Sequence, residues 1–140
     1  MINDNFTMTG ALSIAINNKI VAEVPNTVVT GGKQWVAQRM GNANTVMTHM
    51  AIGTGSTAVA PANTTLATEI ARVALTSAVV SGNSIVYVGT FPAGTGTGAI
   101  VEAGTFDASS AGDMLCRTVF TVVNKGANDS MTITWTVTVN

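Results

Sequence analysis

The stretch MTITWTVTV, Met131–Val139, alternates apolar residues with threonine without a break. Its five apolar residues fall on one side of an extended chain, and its four threonines fall on the other. A period of two residues is the pattern of a β-strand with one buried face. Thr and Val also favour strands, because β-branched side chains pack well on a pleated surface. The stretch therefore predicts a strand that buries Trp135.

The same alternation recurs along the chain. Residues 12–16 alternate up to an Asn-Asn pair, and residues 20–24 resume the pattern. Because Asn tolerates positive φ, this pair predicts a tight hairpin turn. Short strands separated by turn residues indicate a mainly β protein, either an antiparallel β-sandwich or a jelly-roll-like barrel. Further strands are predicted at residues 45–52, 72–80, 85–91, 99–106 and 114–123.

One segment departs from the strand pattern. Residues 30–42, TGGKQWVAQRMGN, have the spacing of a single short α-helix. We expect Thr30 to cap its start and Gly41 to end it in a left-handed conformation. The helix should close one end or edge of the sandwich, with Trp35 packed inward. A second helical turn is predicted at residues 65–71.

The chain is short and carries little charge. Its 140 residues suit one domain, and only 9% of them are charged, against about 25% in a typical soluble domain. So few ionised groups solvate a lone globule poorly, and we expect other subunits to cover much of its surface. Residues 1–10 are predicted to form a flexible arm that orders on a neighbouring subunit. Residues 11–140 are predicted to form a single β-sandwich domain.

Charge and hydropathy also argue against several classes of partner. The net charge is −1 and Lys and Arg do not cluster, so no nucleic-acid partner is expected. Residues 73–101 lack charge but are interrupted by Gly, Ser, Asn and Pro, so no membrane partner is expected either. The single cysteine, Cys116, excludes a disulfide framework and a cysteine-based zinc site. It is predicted to be an inert core thiol.

A glycine-rich stretch, AIGTGSTAVAP at residues 51–61, spells a dinucleotide-binding fingerprint through Gly53, Gly55 and Ala58. That fingerprint needs a helix that begins at the glycines, so that backbone amides bind the pyrophosphate. Pro61 falls where the second turn of such a helix would lie, and AGTGTGA at residues 93–99 repeats the letters. We interpret the stretch as a loop, and no cofactor is expected.

No catalytic site is predicted either. His49 is the only histidine, and no nucleophile motif accompanies it, so a packed or interface histidine is favoured over a general base. Asp107 and Asp113 flank the loop DASSAGD, but calcium prefers more oxygen ligands, so a turn is favoured over a metal site. Glu102 and Arg117 fall on consecutive predicted strands. They are expected to pair as a structural or interface ion pair. An enzyme that uses His49 is the alternative.

Loops and this ion pair together supply the predicted subunit contacts, which involve seven residues. These are Gly53, Gly55, Pro61, Gly94, Gly96, Glu102 and Arg117.

Five motifs follow one another along nearly the whole chain. They are the hairpin GALSIAINNKIV, the helix GGKQWVAQRM, the segment MTHMAIGTGSTAVAP with TTLATEIARVAL, the stretch YVGTFPAGTGTGAIVEAGTF, and the C-terminal MLCRTVFTVVNKGANDSMTITWTVTV. Their order resembles that of small structural proteins encoded by tailed bacteriophages. The resemblance implies a virion component and supplies no catalytic residues.

From this resemblance we expect a capsid decoration or cement protein on the outer capsid surface. It would form a homo-oligomer, with a trimer favoured, bind the major capsid protein or other virion proteins, and link neighbouring capsomers. Each contact can be modest, because many copies act together on a shell. The alternative is a tail location, as a fibre or baseplate component or as an adhesin domain that binds a host glycan.

Overall fold

The computed structural model describes residues 6–140, and within them the chain forms ten β-strands and one α-helix. The strands form two five-stranded antiparallel sheets, and the described residues close no barrel. The predicted antiparallel β-sandwich with one short helix is therefore confirmed. In chain order the elements are β1 (Met8–Ile16), β2 (Lys19–Pro25), β3 (Thr27–Val28), α1 (Thr30–Met40), β4 (His49–Gly53), β5 (Glu69–Ala74), β6 (Ser77–Ser81), β7 (Ser84–Phe91), β8 (Gly98–Phe106), β9 (Met114–Lys125) and β10 (Met131–Val139).

The segment MTITWTVTV is the central strand of the first sheet. That sheet has the order β2-β1-β10-β7-β6, and the second has the order β3-β9-β8-β4-β5. Strand β10 pairs with β1 along its whole length, from Val139 opposite Met8 to Met131 opposite Ile16. It pairs with β7 on its other side. Its apolar residues up to Val137 are buried in the core and its threonines are half-buried, as the alternation predicts.

The core between the sheets is built around Trp135, which is fully buried. Its indole Nε1–H donates a hydrogen bond of 2.8 Å to Oδ1 of Asn26. Cys116 lies in the same core, where burial raises the pKa of its thiol to about 12. The Thr105 and Asn26 side chains lower this pKa, but burial has the larger effect. The thiol therefore stays protonated at neutral pH, and the predicted core position of Cys116 is confirmed.

Tyr87, the only tyrosine of the chain, gives this core a spectroscopic probe. Burial, and secondarily the nearby Cys116, raise its pKa from 10.0 to about 12. We therefore expect absorbance at the phenolate band to titrate near pH 12 in the folded protein and near pH 10 in denaturant. Because the folded pKa is the higher one, stability is full below pH 10 and falls as the pH rises towards 12. A native midpoint near 10 would contradict the burial of this side chain.

The hairpin between β1 and β2 turns where the sequence predicts. Asn17 and Asn18 have φ values of 50° and 68°, so both residues adopt the left-handed conformation. Strand β1 begins at Met8 and therefore includes residues 8–10 of the predicted arm. Residues 1–5 of that arm lie outside the described part of the chain.

Helix α1 forms at the predicted place but with different ends. Its N-cap is Val29, and no side chain among residues 6–140 caps it, so the predicted capping by Thr30 is wrong. The Thr30 N–H instead donates to the carbonyl oxygen of Pro61 at 2.8 Å. Gly41 has a φ of −86° rather than a left-handed conformation, which Asn42 adopts one residue later. A tertiary contact therefore fixes the start of the helix, whereas local backbone hydrogen bonds to Ala37 and Arg39 close its end.

Trp35 holds this helix against the sandwich. Its side chain packs inward, as predicted, and is 9% exposed. Its Nε1–H donates to the carbonyl oxygen of Thr45 at 2.8 Å. In the described part of the chain, no helix has the length and apolar character that crossing a membrane requires.

One predicted strand proves to be two. Residues 72–80 divide between β5 in the second sheet and β6 in the first. At the crossing the Leu75 N–H donates to the carbonyl oxygen of Thr48, just before β4 of the second sheet. The Thr76 N–H donates to the carbonyl oxygen of Val88 on β7 of the first sheet. The predicted helical turn at residues 65–71 is also wrong, because β5 begins at Glu69. Alternation of apolar residues marks a strand, but it does not mark where the chain changes sheets.

Candidate functional site

A long loop covers the outer face of the second sheet. Residues 54–68, which we call the cover loop, connect β4 to β5. Ala103 on β8 points into the core between the sheets, so the adjacent Glu102 points to the outer face. Leu66 of the loop packs there in a second apolar cluster, which also contains Val29, Ala51, Phe106 and Met114. The loop is thus packed on the sheet.

An ion pair is buried beneath the cover loop. Glu102 on β8 is 0% exposed, and Arg117 on β9 is 1% exposed. Nη2 and Nε of Arg117 lie 3.1 and 3.3 Å from Oε1 of Glu102. The predicted pairing of these two residues across consecutive strands is therefore confirmed.

Glu102 also accepts hydrogen bonds from backbone groups at both ends of the cover loop. Its Oε2 accepts from the N–H of Gly55 at 2.8 Å and from that of Thr68 at 2.7 Å. Its Oε1 accepts from the N–H of Ala67 at 2.8 Å. Three converging N–H groups form a typical anion-binding arrangement, and here the bound anion is the protein's own carboxylate.

Arg117 fastens the middle of the same loop. Its Nη1 donates to Oδ1 of Asn63, and its Nη2 donates to the carbonyl oxygen of Thr57, both at 3.0 Å. Asn63 in turn accepts a hydrogen bond from the N–H of Ala60 at 2.8 Å. Both charged side chains therefore hold the cover loop through hydrogen bonds.

Close packing explains why positions 53 and 55, which match the nucleotide-binding fingerprint, are glycines. A Cβ atom at Gly53 would lie 2.3 Å from the carbonyl oxygen of Thr68, and one at Gly55 would lie 2.5 Å from Oε2 of Glu102. No helix follows these glycines, because the chain continues as the cover loop. The glycines allow the loop to approach the carboxylate of Glu102 closely.

A Gly55→Ala substitution tests this explanation. The added methyl group would also lie 2.4 Å from Cβ of Ala67, so the loop would have to shift away from Glu102. We expect a loss of about 1–3 kcal/mol in the free energy of unfolding, measured by urea denaturation. Gly31→Ala is the control, because a Cβ there meets no described atom within 4 Å. Because Gly31 lies in α1, its Ala variant should be at least as stable as the wild type. A Gly55→Ala variant as stable as the wild type would show that the loop does not need Gly55.

The remaining predicted contact residues lie around the cover loop or beside it. Pro61 joins the loop to α1 through the Thr30 N–H. Gly94 and Gly96 lie between β7 and β8 with φ values of 83° and 71°, and a Cβ at Gly96 would lie 2.6 Å from Cδ1 of Ile52. The structure brings five of the seven residues together at the ion pair and its loop. A subunit-contact role for all seven stays a prediction.

The other candidate side chains have structural partners. Nδ1 of His49 lies 2.7 Å from the hydroxyl oxygen of Thr48. Oδ1 of Asp107 accepts from the N–H of Asp113 at 2.7 Å, and the Asp107 N–H donates back to the Asp113 carbonyl at 3.1 Å, which closes the turn between β8 and β9. Among residues 6–140, no three His, Cys, Asp or Glu side chains converge as a metal site requires.

The outer face of the first sheet contrasts with that of the second. No segment among residues 6–140 forms a second apolar cluster on it, whereas the cover loop does so on the second sheet. Its central column consists of the four β10 threonines, which are only half-buried. The five strands of this sheet contain only two charged residues, Lys19 and Glu23, and both lie on β2. We call this surface the threonine face.

Sequence reasoning missed the threonine face as a site, although low charge predicted that some surface would be covered. The signal was present in the four threonines of MTITWTVTV, which mark the side of β10 that faces away from the core. No family model, curated protein or solved structure matches this chain. Function is therefore inferred from its residues and surfaces.

Proposed function

We propose that this protein is a structural component of a tailed-bacteriophage virion, a decoration or cement protein on the outer capsid surface. The observation that carries the proposal is the threonine face, a nearly uncharged surface formed by five paired strands. The motif order that resembles small phage structural proteins supports the same role. The protein would bind the major capsid protein and link neighbouring capsomers.

The threonine face is smaller than a standard protein interface, so one copy alone would make only a modest contact. Five strands about 4.8 Å apart span about 20 Å, and the longest of them, with nine residues, are about 30 Å long, so the face measures at most about 600 Å². Stable protein interfaces bury about 800 Å² on each partner. Because the hydroxyl and methyl groups of threonine are uncharged, burying this face costs little free energy for the desolvation of charges.

Repetition on a shell would strengthen such contacts. We propose that the chain acts as a homo-oligomer, with three copies expected at local threefold positions. Once one copy of an oligomer is bound, the others bind at a high effective concentration. The buried Glu102–Arg117 pair contributes rigidity to this building block, and we assign it no catalytic role.

Immunogold labelling of intact virions that contain the chain tests the location. Label on the capsid is the expected result. Label on the tail would favour the fibre, baseplate or adhesin alternative, and an absence of label from purified particles would overturn the virion role.

A pair of arginine variants tests which surface binds the shell. Thr134→Arg places a charge in the centre of the threonine face, and Val122→Arg places the same charge on an exposed residue of β9 in the second sheet. We expect Thr134→Arg to weaken co-sedimentation with shells that lack the protein at least tenfold, and Val122→Arg to bind as the wild type does. Equal binding by both variants would exclude the threonine face as the contact.

A further inference from the structure

The edges of the two sheets are protected unequally. The first sheet ends at β2 and β6, and the second ends at β3 and β5. An edge strand presents unpaired N–H and C=O groups to which another strand can add. Native proteins block such addition with charges, proline, bulges or very short strands.

Three of these edges carry recognisable protection. Strand β2 contains Lys19, Glu23 and Pro25, and its pairing with β1 is interrupted by a bulge. Strand β5 carries the salt bridge between Glu69 and Arg72, with 2.7 Å between Oε1 and Nη2, and its pairing with β4 also contains a bulge. Strand β3 has only two residues, and α1 follows it closely.

Strand β6 lacks every one of these features. Its sequence, SAVVS, contains no charge and no proline, and its register with β7 runs without a bulge from Ser77 opposite Val88 to Ser81 opposite Ser84. Val79 is 58% exposed and Val80 is 71% exposed. Because adjacent residues of a strand point to opposite faces, this edge is apolar on both of its faces.

An apolar groove adjoins the inner side of this edge. It has a volume of about 340 Å³, and Val80, Ile85 and Tyr87 line it together with Trp35 and Val36 of α1. A strand added along β6 would place its own inward residues beside this groove. The edge and the groove therefore favour an uncharged, β-branched strand as the occupant.

We propose that β6 pairs in antiparallel orientation with β6 of a second copy of this chain, across a two-fold axis. The sequence SAVVS reads nearly the same in both directions, so pairing centred on Val79 places Ser77 opposite Ser81 and Ala78 opposite Val80. Apolar residues then meet apolar residues, and no charges oppose each other. The same patch serves both copies, as a two-fold interface requires, and the two first sheets become one sheet of ten strands.

This pairing is independent of the virion role and of the expected trimer. A chain that associates only through β6 forms a dimer, and trimers linked through β6 form a hexamer. The assembly in solution therefore contains an even number of copies. Labelling can be absent from the capsid while β6 still pairs in solution, and the capsid can be labelled although β6 does not pair. The two proposals can therefore fail independently.

Sedimentation of the purified chain over a concentration series tests the pairing. We expect an even number of copies, and we expect Val79→Lys to halve the mass, because a lysine on an edge strand opposes strand addition. Val122→Lys is the control, since it places the same charge on β9, and its mass should equal that of the wild type. A wild type that stays monomeric or forms only trimers overturns the proposal, as does an unchanged mass for Val79→Lys.

Hydrogen exchange gives a second, more local measurement. About half of the β6 N–H groups point away from β7, and among residues 6–140 of one copy they have no partner. We expect these amides to become protected as concentration rises in the wild type, by at least tenfold in exchange rate, and to stay unprotected in Val79→Lys. Assembly without protection of β6 would mean that copies meet through another surface.

Discussion

We expect Glu102→Gln to lower the free energy of unfolding by about 3–5 kcal/mol, the loss that follows when one partner of a buried ion pair is removed. Gln keeps the size of the side chain, so little packing is lost. Arg117, however, keeps its charge at 1% exposure and loses the carboxylate that neutralises it. One carboxylate oxygen also becomes an NH₂ group, which would face the backbone N–H donors of the cover loop.

Urea denaturation measures this loss, and Glu69→Gln provides the matched control. Glu69 forms the other salt bridge. Its partner Arg72 is 8% exposed, but the Glu69 side chain is 32% exposed and partly screened by solvent. Arg72 would also keep its hydrogen bonds to the carbonyl oxygens of Ala108 and Ala111. We expect the control to lose less than about 1 kcal/mol. If the two variants are equally stable, the Glu102–Arg117 pair contributes no more than a surface salt bridge, and its proposed role in holding the cover loop is wrong.

Trp135→Ala should lower the free energy of unfolding by about 3–5 kcal/mol as well, for a different reason. The substitution removes the largest fully buried side chain from the central strand of the first sheet and leaves a cavity between the sheets. It also removes the donor to Oδ1 of Asn26. Guanidinium denaturation followed by circular dichroism measures the change.

Thr134→Ala is the control for the same strand. Thr134 precedes Trp135 but lies on the threonine face, where it is half-buried, so only strand propensity is lost. We expect a change below about 1 kcal/mol. A comparable loss in both variants would contradict the assignment of the two faces of β10.

Local patterns predicted much of the fold. Alternation placed β10 and the neighbouring strands, and the Asn17–Asn18 pair placed the first hairpin, because both signals depend on residues close in the chain. The crossing between β5 and β6 could not be predicted, since alternation continues while the pairing partner changes. The ends of α1 were also mispredicted, because Val29 and the Pro61 carbonyl fix its start through tertiary contacts.

The site was predictable only in part. Glu102 and Arg117 stand on neighbouring strands with opposite charge, which is enough to predict the pair. Their roles toward the cover loop depend on which backbone N–H groups converge, and Gly55, Ala67 and Thr68 give no sign of this in the sequence. The loop resembles a nucleotide-binding fingerprint because glycine lets the backbone approach an anion closely, whether that anion is a bound phosphate or the carboxylate of Glu102.

The position of β10 in the first sheet determines when this protein can fold during its synthesis. The ribosome makes β1 first, then β7 and only afterwards β10, yet β10 lies between β1 and β7 in the sheet. Until residues 131–139 leave the exit tunnel, the nascent chain can pair β1 with β2 and β6 with β7, but it cannot join these hairpins. Premature termination before residue 131 would leave β1 and β7 with open, apolar edges, so truncated products should be targets for chaperones and proteases rather than smaller folded domains.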